Sequence, residues 1–177
     1  RWLPWARPRF RLTPAIEIHL TSDVTTSVTV DYPVNAPTFT TTVGVGPGAI
    51  TIVSLPSSLV SGPANAWIDD AVANNCVRAY ADDEFVAYTI SRVTFTSDAA
   101  LALPIETMNT EYILADYDPN VGLVPSEFVV FAAFDDTTVT VTPSVDLNGG
   151  HPAGTPFDVV LDRGEGYLGT SLSVLGP

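Results

Sequence analysis

Between residues 126 and 144, SEFVVFAAFDDTTVTVTPS, the spacing of apolar side chains changes from continuous to alternating within a few positions. Every residue from Phe128 to Phe134 is apolar, which predicts a strand buried on both faces, and Asp135 with Asp136 predicts a tight turn after it. From Thr138 to Thr142 the two valines, Val139 and Val141, share one face and three threonines share the other. That is the period of a half-buried strand, and Pro143 closes it. The same order occurs near the start of the chain. AIEIHLTSDVTTSVTVDYP, residues 15 to 33, reads as an alternating strand, a turn at Asp23, a second strand through Val28 and Val30, and a closing Pro33.

Both stretches continue alike. FTTTVGVGPGAI from Phe39 lies over FDVVLDRGEGYL from Phe157 without a gap, which sets Gly46 over Gly164 and Gly48 over Gly166 at an offset of 118. At the valine pairs the offset is 111, so the second copy carries a longer loop, from Ser144 to Pro156. A loop is where an insertion disturbs folding least. The pattern predicts an internal duplication and an all-β fold: duplicated antiparallel β-sandwich-like halves packed as one unit, with an extended N-terminal arm. Residues 1–14 form the arm, 15–118 the first β repeat with its connecting β segments, and 119–177 the second repeat.

Between the copies, 57–75 is the least regular part, where Ala64, Trp67, Ile68, Ala71 and Val72 suit either a short helix or a pinned loop. Residues 76–118 read as CVRAYA, a turn at Asp82 to Glu84, FVAYTISRVTF, a turn at Thr96 to Asp98, and a tight apolar connection from Leu101 to Pro104. After its four strands the first copy is followed by those around 76–92, and the second has no such counterpart before LSVLGP. The second repeat is therefore expected to be incomplete, with an exposed sheet edge that invites a strand from elsewhere.

Composition adds a partner argument. The chain has 177 residues, 46% of them hydrophobic, enough for a real core. Its charge is lopsided, with 20 acidic residues against 7 arginines, no lysine, and a net charge of -13. Four arginines (Arg1, Arg7, Arg9, Arg11) lie in the first eleven residues, leaving three for the rest. Such a body repels nucleic acid and anionic lipid. The arm, RWLPWARPRFRLTP, sets Trp2, Trp5 and Phe10 among Arg7, Arg9 and Arg11 and has the periodicity of neither helix nor strand. It is expected to pack along a groove or sheet edge of its own or a neighbouring molecule, with these six residues as the interface. No apolar run is long enough to span a membrane, Cys76 has no partner for a disulfide, and an Arg at position 1 fits removal of a leader.

The landmarks ALALP, TEYI, SEF and TVTVTPS, in the run from CVRAYADDEFVAYTI to FDVVLDRGEGYL, resemble the N-terminal domain of IgGFc-binding protein, a domain also widespread in bacterial secreted and surface proteins. The resemblance covers roughly 75–168 well and 15–56 more loosely. It implies a β-rich, non-enzymatic module of extracellular, adhesive or mucin-like proteins; no residue motif carries antibody Fc binding over to this chain. The expected function is thus an extracellular structural or adhesive β module, a subunit of a surface assembly or filament joined through its arm or an open edge. A ligand- or glycan-binding module of a larger secreted adhesin is the alternative.

The candidate chemistry is sparse. His19 sits beside Glu17 on an alternating strand and His151 in a Gly-Gly-His-Pro loop, neither near a nucleophile motif. Carboxylate pairs occur at Asp69 and Asp70, Asp82 to Glu84, Asp116 and Asp118, and Asp135 and Asp136, but neighbours in a turn do not make a catalytic pair across a cleft. GVGPG, residues 44 to 48, lacks the Lys-Ser/Thr of a phosphate loop and reads as a β-turn. The metal reading is calcium on DYDPN, where Asp116, Asp118 and Asn120 alternate as oxygen ligands, against a plain Asp-Pro turn. No other cofactor is called for.

Overall fold

The computed structural model describes residues 2–3, 15–60, 68–93, 96–115 and 125–172. In the first half, β2 (Ala15–Thr21), β3 (Thr26–Tyr32), β4 (Phe39–Val45) and β5 (Thr51–Leu55) follow in chain order. β7 (Val77–Tyr80), β8 (Val86–Val93) and β9 (Thr96–Leu101) come after a single helical turn, α1 (Ser57–Val60), and a three-residue strand, β6 (Ala71–Ala73). Two four-stranded antiparallel sheets result. One has the order β5-β2-β8-β9; the other has β1-β7-β3-β4, where β1 is Trp2–Leu3. Alternation decides which side chains face inward: Ile16, Ile18 and Leu20 from β2 meet Val28, Val30 and Tyr32 from β3, all at most 1% exposed. Val45, Val53, Leu55, Val77, Ala79, Phe85, Ala87 and Ala102 complete this sandwich core.

The second half repeats the pairing of β2 to β5. β10 (Glu127–Phe131) pairs with β13 (Gly166–Thr170), and β11 (Thr137–Val141) with β12 (Phe157–Leu161), just as β2 pairs with β5 and β3 with β4. Among the described residues, however, no strand adds to the far side of β10 or β11, where the first half adds β8 and β7. A small core forms between the pairs from Ala132, Val159, Leu161 and Tyr167. A third cluster, Val34, Cys76, Ala133 and Leu168, joins the halves.

The all-β architecture agrees with the apolar pattern, and three details differ. The apolar run from Phe128 is half-buried along β10, not buried on both faces, and Phe134 is 68% exposed, because a two-stranded pair leaves one flank without a covering neighbour. Thr96 to Asp98, expected as a turn, lies in β9: Asp98 pairs with Ser91 and Thr96 with Val93 on an edge strand where the side chains of Ser97 and Asp98 stay in water. The gapless match of the repeats is also displaced by two residues. Gly48 (φ 70°) and Gly164 (φ 84°) are the left-handed residues of the equivalent turns, so the offset there is 116 and not 118.

Candidate functional site

The longer loop of the second half, between β11 and β12, is tied down by its own backbone. Leu147 is 4% exposed and its N–H donates to the His151 carbonyl (2.9 Å), while Ala153 N–H donates to Asp146 Oδ1 (2.8 Å) and Gly154 N–H to the Pro143 carbonyl (2.8 Å). This holds Asn148, Gly149 and His151 against the segment that leads into β6. There Asp69 bridges Leu168 of β13 in parallel, and Asp70 N–H donates to the Leu168 carbonyl at 2.9 Å. Asp70 takes a left-handed conformation (φ 57°), which Asp tolerates better than most side chains.

These contacts assemble a polar cluster from three parts of the chain. Asp70 Oδ1 accepts the Tyr167 hydroxyl at 2.7 Å and lies 2.8 Å from His151 Nε2. Asn148 Nδ2 donates to Asp69 Oδ2 at 2.6 Å, and the buried Asp69 Oδ1 has no partner among the described residues. A side chain at Gly149 would collide with the Asp70 carboxylate, so that position requires glycine. The His151 ring stacks on Phe157 (centroids 3.7 Å, planes 17° apart), and Phe157 meets Tyr167 edge-on at 5.9 Å. Burial, and then the hydrogen bond to Asp70, pushes the Tyr167 phenol up from its ordinary value. Beside the cluster is an open groove of about 290 Å³, walled by Asp70, Val72, His151, Phe157, Asp158 and Val160.

The chemistry available is recognition and clamping. Asp70 acts as an acceptor that locks both the loop and β13 to the segment before β6. Among the described residues the His151 ring nitrogen bonds to the Asp70 carboxylate, and no hydroxyl or thiol bonds to His151. Nor does any group of three His, Cys, Asp or Glu among them suit a metal ion. His19, by contrast, lies 2.9 Å from the half-buried Glu17, whose carboxyl is lowered by that hydrogen bond and which also meets Arg92 at 3.3 Å.

Asp116, Asp118 and Asn120, and the arm residues Trp5, Arg7, Arg9, Phe10 and Arg11, lie outside the described residues. The backbone of Trp2–Leu3 pairs with Arg78 and Val77 of the same chain, on the free edge of β7. The Asp70–His151–Tyr167 cluster escaped the sequence reading because its members are 81 and 97 positions from Asp70. One signal pointed to it: the loop that is longer in the second copy is the one that supplies Asn148, Gly149 and His151.

Residues 98–173 match the family model described as IgGFc binding protein. This part of the chain is similar to that family. The matched region starts inside β9 and takes in β10 to β13, including the long loop and the His151, Phe157, Asp158 and Val160 side of the groove, while Asp70 and Val72 lie outside it. No curated protein and no solved structure matches the chain. The match supports a β-rich binding or adhesive module as the broad class. No described helix is long and apolar enough to cross a membrane.

Proposed function

We propose that the chain is an extracellular, non-enzymatic adhesive β module that joins surface assemblies by strand addition at the open side of β11. The observation that carries this is the contrast between equivalent strands: β3 is flanked by β4 and β7, whereas β11 is paired only with β12 among the described residues. An unpaired strand side presents backbone donors and acceptors that an incoming strand satisfies. Joining through the arm is the weaker version of this reading, since the backbone of Trp2–Leu3 is already paired within its own chain. Light scattering of the full chain across a wide concentration range tests the proposal. Oligomers that disappear in Thr138→Lys, a charge on the exposed face of β11, support it. A monomer at every concentration removes the assembly.

A second reading, a ligand-binding module, is favoured by the outer face of the β5-β2-β8-β9 sheet. There Ile52, His19, Tyr88 and Leu101 align across all four strands, and Ile52, Tyr88 and Leu101 are about half exposed (51%, 45% and 50%). Retention on a glycan or protein array that Tyr88→Ser abolishes supports that reading.

A further inference from the structure

The groove beside the Asp70 cluster has a chemistry that open strands do not explain. Its walls carry two carboxylates, Asp70 and Asp158, and no Lys or Arg. Asp158 is exposed, and among the described residues only its Oδ1 is engaged, accepting the Thr140 hydroxyl at 2.6 Å. The parallel His151–Phe157 stack supplies a flat π surface, and the exposed Val72 and Val160 supply apolar sides. The volume suits one side chain better than a large ligand, being at the lower limit of small-molecule sites.

We infer that this groove receives an arginine side chain carried on a basic segment of a partner protein. A guanidinium is planar, stacks on aromatic rings, is weakly hydrated and presents a fork of donors to carboxylates, whereas a lysine ammonium is a compact, strongly hydrated point charge. A chain with 20 acidic residues and 7 basic ones draws such a segment toward it before contact. The groove lies outside the open side of β11, so its occupancy does not depend on assembly.

The test is an NMR titration of the full chain with a capped pentapeptide bearing one central arginine among glycines, in 0.15 M salt. Saturable shifts of the His151 and Tyr167 ring signals are expected, with a Kd of about 1 mM, the scale of a single anchored side chain. The citrulline peptide, which keeps the shape and loses the charge, is expected to leave those signals unmoved. Asp158→Asn retains an acceptor for Thr140 and is expected to weaken binding about two- to fivefold, its fold checked by the amide fingerprint. Four results overturn the proposal: citrulline or lysine peptides binding as tightly as arginine, shifts scattered over the acidic surface, no shift at all, or a neutral sugar occupying the groove in place of the peptide.

Discussion

Both halves pair their four core strands in the same order, yet one is a closed sandwich and the other is not. In the first, β1 and β7 widen one pair and β8 and β9 the other into four-stranded sheets, and β2 and β3 are buried on their inner face at Ile18, Leu20, Val28 and Val30 (each 0% exposed). In the second, all five positions of β10 are only half-buried, and the core rests on Leu161, Ala132, Val159 and Tyr167. The four-strand motif sets topology; its neighbours set burial. The second half compensates by leaning on the first through Val34, Cys76, Ala133 and Leu168, and through the long loop clamped by Asp70.

The strongest way to break this comparison is to truncate equivalent strand positions. Ile18 pairs with Val53 as Val129 pairs with Leu168. Ile18→Ala is expected to cost about 2–5 kcal/mol in urea unfolding, and Val129→Ala about 1 kcal/mol. Equal losses would show that the second half is as tightly packed as the first. The turn glycines form a second pair. A Cβ at Gly48 meets nothing, whereas at Gly164 it collides with Val34. Gly48→Ala should therefore cost about 1–2 kcal/mol for its left-handed backbone alone. Gly164→Ala should cost about 2–5 kcal/mol, and Val34→Ala should recover part of it.

Alkaline pH sharpens the comparison at the seam. Burial first, and Glu165 second, pushes the Cys76 thiol up from 9.0 to about 12. The unfolded chain releases that proton near its ordinary value while the folded chain keeps it. Stability is then fully present below pH 9 and falls as pH rises from 9 to about 12, at about 1.4 kcal/mol per pH unit for this group. The raised Tyr167 phenol acts in the same direction above its ordinary value of 10.0. Amide exchange in β10 and β13 is expected to accelerate before that in β2 and β3, and Cys76→Ala should flatten the slope between pH 9 and 12. The smallest effect concerns an exposed pair. Thr29 bonds Thr42 at 2.9 Å, and the equivalent Thr140 bonds Asp158 at 2.6 Å. Thr42→Val is expected to shift stability by less than about 0.5 kcal/mol, measured as a change in thermal midpoint.

The period-two pattern by itself located the strands and their faces: Ile16, Ile18 and Leu20 inward in β2, and Val139 and Val141 opposite Thr138 and Thr140 in β11. It also showed that residues 15–33 and 126–144 share one design. It could not choose between offsets of 118 and 116, because a two-residue shift returns every side chain to the same face. The left-handed glycines, Gly48 and Gly164, and the registers of β3 with β4 and of β11 with β12 decided that. The groove was decided by tertiary structure as well. Asp70, His151 and Tyr167 have no local periodicity in common, and they meet because β13 bridges Asp69 while the extra loop residues fold over that bridge. Hydrophobic alternation is a local record of burial; hydrogen bonds between residues 81 and 97 positions apart exist only once the halves are docked.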